Sequence, residues 1–128
     1  MRPSSIVDHR AQLDGLLETN AESFDASRAL VEFAGHTTVL ARDAKKRVPV
    51  PCELAREAAS EVVRRSTLQS GDHEWDSMRA RALLSSVTGL NLRSSPDVAR
   101  ALSEALHVAQ QVGAQEIETR VRYRMGVN

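Results

Sequence analysis

Aromatic side chains are scarce in this sequence. Phe, Trp and Tyr make up 3% of its 128 residues, as Phe24, Phe33, Trp75 and Tyr123. Alanine and leucine must therefore fill the interior, which favours closely packed helices over a β-sandwich core. No stretch alternates apolar and polar residues cleanly, and this argues against a strand-rich fold. The single cysteine, Cys52, excludes an internal disulfide and a cysteine-rich zinc site. Cys52 reads as a small apolar residue near the start of a helix. Six glycines are few for a phosphate-cradling loop, and there is no GxSxG, HExxH or Cys-His pairing. No cofactor is expected. No apolar run is long enough to cross a bilayer. Met1-Arg2-Pro3-Ser4-Ser5 lacks the apolar centre of a secretion signal, so the expected location is cytoplasmic, away from membranes. Seventeen basic residues balance seventeen acidic ones. Without a basic excess to drive counterion release, general nucleic-acid binding is disfavoured, while near-zero net charge permits self-association.

What is present is helical periodicity. At this length one domain with one core is expected, spanning residues 1–128. A first helix is expected over Ser5–Thr19, with Ser5 as its cap and Ile6, Leu13, Leu16 and Leu17 sharing a face. A second runs over Ser23–Arg47, with a stripe through Ala26, Leu30, Phe33, Ala34, Thr37, Leu40, Ala41 and Ala44. Val48-Pro49-Val50-Pro51 is expected to be an extended connector, because each proline disfavours helix in the residue before it. A third helix starts near Pro51 and ends near Thr67, with Ala55, Ala58, Ala59 and Val62 inward. Asp72 caps a fourth over His73 to about Leu92. Ser95-Pro96-Asp97 combines a capping hydroxyl, a first-turn proline and a first-turn acid. It opens a fifth helix that buries Val98, Ala101, Leu102, Ala105, Ala109 and Val112 and closes at Gly113. A last helix covers Gln115 to Met125. The fold class is all-α, with five or six antiparallel helices joined by short loops.

The segment from Ala80 to Gly113, followed by Gln115 to Gly126, resembles the tetratricopeptide-like repeats of large bacterial transcriptional regulators and signalling ATPases. The matching residues are Leu92-Arg93, Ser95-Pro96-Asp97, Ala101-Leu102, Glu104-Ala105-Leu106, Ala109 and Val112-Gly113. The resemblance implies stacked helical hairpins repeating about every 34 residues and a role in presenting surface to a partner. The large aromatics usual in the first helix of such a repeat are missing, with Leu83, Leu84, Ser85, Ser86 and Gly89 in that region. A plain helical bundle containing an Ala-Leu hairpin is the competing architecture.

Few residues suggest chemistry. Asp72-His73-Glu74-Trp75-Asp76 is the densest polar cluster, and His73 with Asp76 is the one candidate metal pair. Acids at a helix start also serve the cap and the dipole. Arg100 and His107 stand seven residues apart on one helix face, similar to the Arg-to-His spacing of helical HEPN ribonucleases. That family has a polar residue after the arginine, where this chain has Ala101. His36 is expected at a core edge with a hydrogen bond, and His9 in solvent. The run Arg42, Lys45, Lys46, Arg47 is the candidate patch for an alternative role in binding nucleic acid.

The leading expectation is a non-enzymatic interaction or regulatory module. It would offer an apolar helix face or groove with a charged rim to a protein or peptide, or to a second copy of the chain. The last helix is the expected surface. Ile117, Val121 and Met125 form a stripe that needs cover, and Arg120 and Arg124 flank it. A homodimer through this helix is expected. A small helical enzyme using Arg100 and His107 is the alternative.

Overall fold

The computed structural model describes residues 6–43, 49–69, 71–87, 90 and 95–126. These form six helices: α1 (Ile6–Leu17), α2 (Phe24–Asp43), α3 (Pro49–Thr67), α4 (His73–Ser85), α5 (Pro96–Val112) and α6 (Gln115–Met125). No strand occurs among the described residues, so the all-α class read from composition and periodicity is what forms. No described helix is long and apolar enough to cross a membrane.

Local chemistry sets most of the helix ends. The Ser23 hydroxyl accepts from the Ala26 N–H at 3.2 Å and opens α2. The Asp72 carboxylate accepts from the Glu74 and Trp75 N–H groups at 3.0 and 3.2 Å and opens α4. Ser95 accepts from the Asp97 N–H at 3.0 Å ahead of Pro96. Each cap satisfies donors that have no partner within the helix. Gly113 ends α5 at φ +73°, where its N–H reaches the Ala109 and Gln110 carbonyls. That left-handed geometry costs glycine little and an L residue more.

Two boundaries differ from expectation. Pro49, Val50 and Pro51 are not extended but form the first turn of α3. First-turn N–H groups have no carbonyl to reach, so a proline there removes nothing. Val48 and the expected Ser5 cap lie outside the described residues. The fourth helix stops at Ser85, well before Leu92. The Ser86 hydroxyl donates to the Leu83 carbonyl at 2.7 Å, in the last turn. Arg124, from α6, then donates one Nη to the carbonyls of both Val87 and Leu90, at 3.0 and 2.8 Å. A side chain nearly forty positions away thus takes the carbonyls that a longer helix would have used.

Each helix packs on its sequence neighbour. In addition α1 meets α3, α2 meets α4 and α4 meets α6, while α3 and α5 do not touch among the described residues. This places α2, α4 and α6 in one layer, backed by α3 and α5. The helices of that layer begin at residues 24, 73 and 115, so each step is longer than the 34 residues implied by the tetratricopeptide resemblance.

The interior divides into two clusters. One gathers Leu13, Leu30, Phe33, Ala34, Ala58, Val62, Trp75 and Met78. The other gathers Ala80, Leu83, Val98, Leu102, Ala105, Val108, Ile117 and Val121. Helix α4 contributes to both, and Val63 packs against both. Alanines dominate the α3 face, where Ala55, Ala58 and Ala59 are fully buried, so the neighbouring helices approach closely.

One buried polar group stands out. Arg65 is 1% exposed, and all five of its guanidinium N–H bonds find acceptors. Its Nε donates to Glu61 at 2.8 Å, one Nη to the hydroxyls of Thr19 and Ser27, both at 3.2 Å, and the other to the Leu17 and Thr19 carbonyls at 3.3 and 3.0 Å. The cation therefore closes the negative end of α1 and holds α1 and α2 on α3. On the surface Arg10 grips Glu57 with two bonds, at 2.6 and 3.0 Å, and Arg79 of α4 pairs with Glu104 of α5.

Candidate functional site

The helices α2 and α4 start side by side. Phe24 and Trp75, each near the N-terminus of its helix, meet edge to face with centroids 5.5 Å apart. Beyond that contact the facing surfaces diverge and leave an open groove of about 730 Å³, bordered on its far side by α6. Its α2 wall carries Phe24, Arg28, Val31, Glu32 and Gly35, residues that share one helix face. The α4 wall carries Glu74, Ser77, Met78, Arg81 and Ser85, with His73 at one end, and α6 contributes Arg120. Phe24, half-buried, is the apolar side chain that reaches the groove, while Val31 and Met78 lie behind it, buried in the first cluster. From Phe24 to Gly35 the wall is about 17 Å long at the helical rise.

The rim is charged and unevenly compensated. Arg28 lies 3.5 Å from Asp25 and 3.9 Å from Glu32. Arg120 pairs with Glu116 at 3.0 Å. Arg81 is exposed and makes no ion pair with another described residue. Glu74 sits in the first turn of α4, where the helix dipole favours a carboxylate. Gly35 lies within the 20-residue α2, and a Cβ built on it meets nothing within 4 Å. The space over that position is open, and no packing among the described residues demands a glycine.

The last helix is not the open surface expected of it. Ile117 is 4% exposed and Val121 fully buried, both inside the second cluster, and Met125 packs against that cluster. The stripe that called for a second subunit is covered by α4 and α5 of the same chain. Arg124 is occupied by the Val87 and Leu90 carbonyls, and its burial lowers its pKa from the ordinary arginine value. Of the expected surface only Arg120 faces a groove. Tyr123, on the outer side of α6, is 78% exposed.

The candidate chemical residues do not converge. Arg100 and His107 are exposed on α5 and line no part of the groove; Arg100 pairs with Asp97 at 3.0 Å. The His73 Nε2 lies 3.1 Å from the Val112 carbonyl. A carbonyl only accepts, so that nitrogen carries the hydrogen and ties α4 to the end of α5. No group of three His, Cys, Asp or Glu side chains converges on His73 and Asp76, or elsewhere among the described residues. The side chain of Arg42, and all of Lys45, Lys46 and Arg47, lie outside the described residues. His9 is buried, not solvent-facing as expected; it packs edge-on to Phe33 at 6.4 Å and beside His36 at 6.1 Å. His36 is exposed.

The sequence alone singled out neither Arg28 nor Arg81, while Gly35 stands in it as a glycine that weakens the middle of the second helix or lets a neighbour come close. A signal existed: Phe24 and Val31 lie seven apart, off the main stripe of α2, and so give that helix a second apolar face. Comparison with known protein families, curated proteins and solved structures yields no match.

Proposed function

We propose that this protein is a non-enzymatic interaction module that receives a segment of a partner protein in the groove between α2 and α4. The observation that carries the proposal is the groove itself, with the half-buried Phe24 as an apolar contact inside a rim of charged side chains. Apolar surface supplies affinity in proportion to the area removed from water, and a charged rim supplies orientation. Stacked helices suit this work. The groove walls are held from behind, by Arg65 linking α1 and α2 to α3 and by the Arg79–Glu104 pair linking α4 to α5, so little freedom is lost on binding. The same surface replaces the C-terminal helix as the site of contact, since the stripe on that helix is already covered.

The test is selection of displayed random peptides against the purified protein, followed by counter-selection on Gly35→Trp, whose indole would occupy the groove. Gly35→Ala serves as the control, because one methyl group leaves most of the groove open. Enrichment of peptides that bind the wild type and the alanine variant but not the tryptophan variant supports the proposal. Failure to enrich any peptide whose binding depends on position 35 overturns it.

A further inference from the structure

We infer that the occupant of the groove is an acidic amphipathic segment of a partner protein, with an apolar side chain against Phe24 and a carboxylate at Arg81. The inference rests on the groove being the working surface and adds the chemistry of its occupant. Three arginines face this space, from α2, α4 and α6. Two of them have carboxylates of their own chain beside them, Asp25 and Glu32 for Arg28 and Glu116 for Arg120. Arg81 has none among the described residues. A guanidinium left over in a groove with an apolar contact is complemented by a carboxylate, which it can hold with two parallel bonds. A polyanion such as nucleic acid would need several free cations in a row, and the Phe24 contact would be left unused.

Gly35 is the second, independent observation. A glycine well inside a helix costs stability relative to alanine, and nothing among the described residues packs within 4 Å of where its side chain would be. The space it leaves lets the backbone of an incoming chain lie against α2. Gly15, equally unpacked, sits in the last turn of α1, where a helix tolerates glycine better. The wall from Phe24 to Gly35 is about three helical turns long, enough for an amphipathic segment that places an apolar residue against Phe24 and an acid at Arg81. Glu74, at the Phe24 end of the groove, repels that acid and so sets the direction in which the segment lies.

The experiment extends the peptide selection to Arg81→Glu, with folding of the variant verified by its thermal melt. The expected result is that peptides lost on Gly35→Trp carry net negative charge, and that Arg81→Glu weakens their binding at least tenfold. Selection on Arg81→Glu itself should return peptides of opposite charge. Groove-dependent peptides that are neutral or basic, or that bind Arg81→Glu as well as the wild type, would overturn the inference and leave the groove as the binding surface. If no peptide depends on position 35, the groove proposal and this inference fall together.

Discussion

Replacing Arg65 by methionine should be strongly destabilising. The arginine is 1% exposed, and five acceptors rely on it. Methionine fills a similar volume but donates nothing. The Ser27 hydroxyl is fully buried, and the Thr19 hydroxyl and the Leu17 and Thr19 carbonyls at the end of α1 are the other neutral groups abandoned. Each unsatisfied buried group costs about 1–3 kcal/mol, and water reaches the half-buried Thr19 at the lower end of that range. Glu61 keeps Arg64, at 2.6 Å, and so adds little. The loss should total about 3–5 kcal/mol, a large share of the stability of a domain this size. In urea titration followed by circular dichroism, the midpoint should fall by about 2 M. Hydrogen exchange should quicken first in α1, whose C-terminal end is held by this cation. The double variant Arg65→Met with Ser27→Ala should lose less than the sum of the two single losses, because both changes break the same bond. A midpoint shift below about 0.5 M, or strictly additive losses, would refute the assignment of Arg65 as the tie between α1, α2 and α3.

Two other outcomes can be checked with the same material. Gly35→Ala should raise stability by about 1 kcal/mol, since the helix gains a better former and the new methyl group meets nothing; the melting temperature should rise by about 4 °C, and a fall would show that something of this chain covers the site. Acid should weaken the fold partly through Glu61, whose carboxyl is held below its ordinary value of 4.5 by the Arg64 hydrogen bond, against the opposing effect of burial and with a further bond from Arg65. A depressed carboxyl contributes fully above its unfolded value and loses that contribution as pH falls through the folded one. Glu61→Gln should therefore flatten the stability profile below about pH 4.5, and an unchanged acid slope would contradict this.

What could be read from the sequence was what neighbouring residues decide. Ser95, Asp72 and Gly113 announce helix ends because each acts on backbone groups within a few positions, and the structure uses all three. The stripe of α6 was legible as apolar, but periodicity says only that Ile117 and Val121 need cover, not which chain provides it. The end of α4 was hidden because Arg124 decides it from another helix. Arg65 was hidden for the same reason. Beside Arg64 it looks like one of two cations in the last turn of α3, and only the folded chain brings Thr19 and Ser27 to it. Pro51 misled because the usual effect of proline on the preceding residue, here Val50, is weaker where a helix is just beginning.

The position of α4 between the two clusters has a thermodynamic consequence. Trp75 and Met78 belong to one side and Ala80 and Leu83 to the other, while α3 and α5 never touch among the described residues. One short helix, with Val63 of α3 beside it, is thus the party wall of two rooms, and loosening in either room is felt in the other through them. Anything seated against the Ser77–Arg81 side of α4 would brace both at once, so that occupancy in front should protect α5 from exchange although α5 lines no part of the groove.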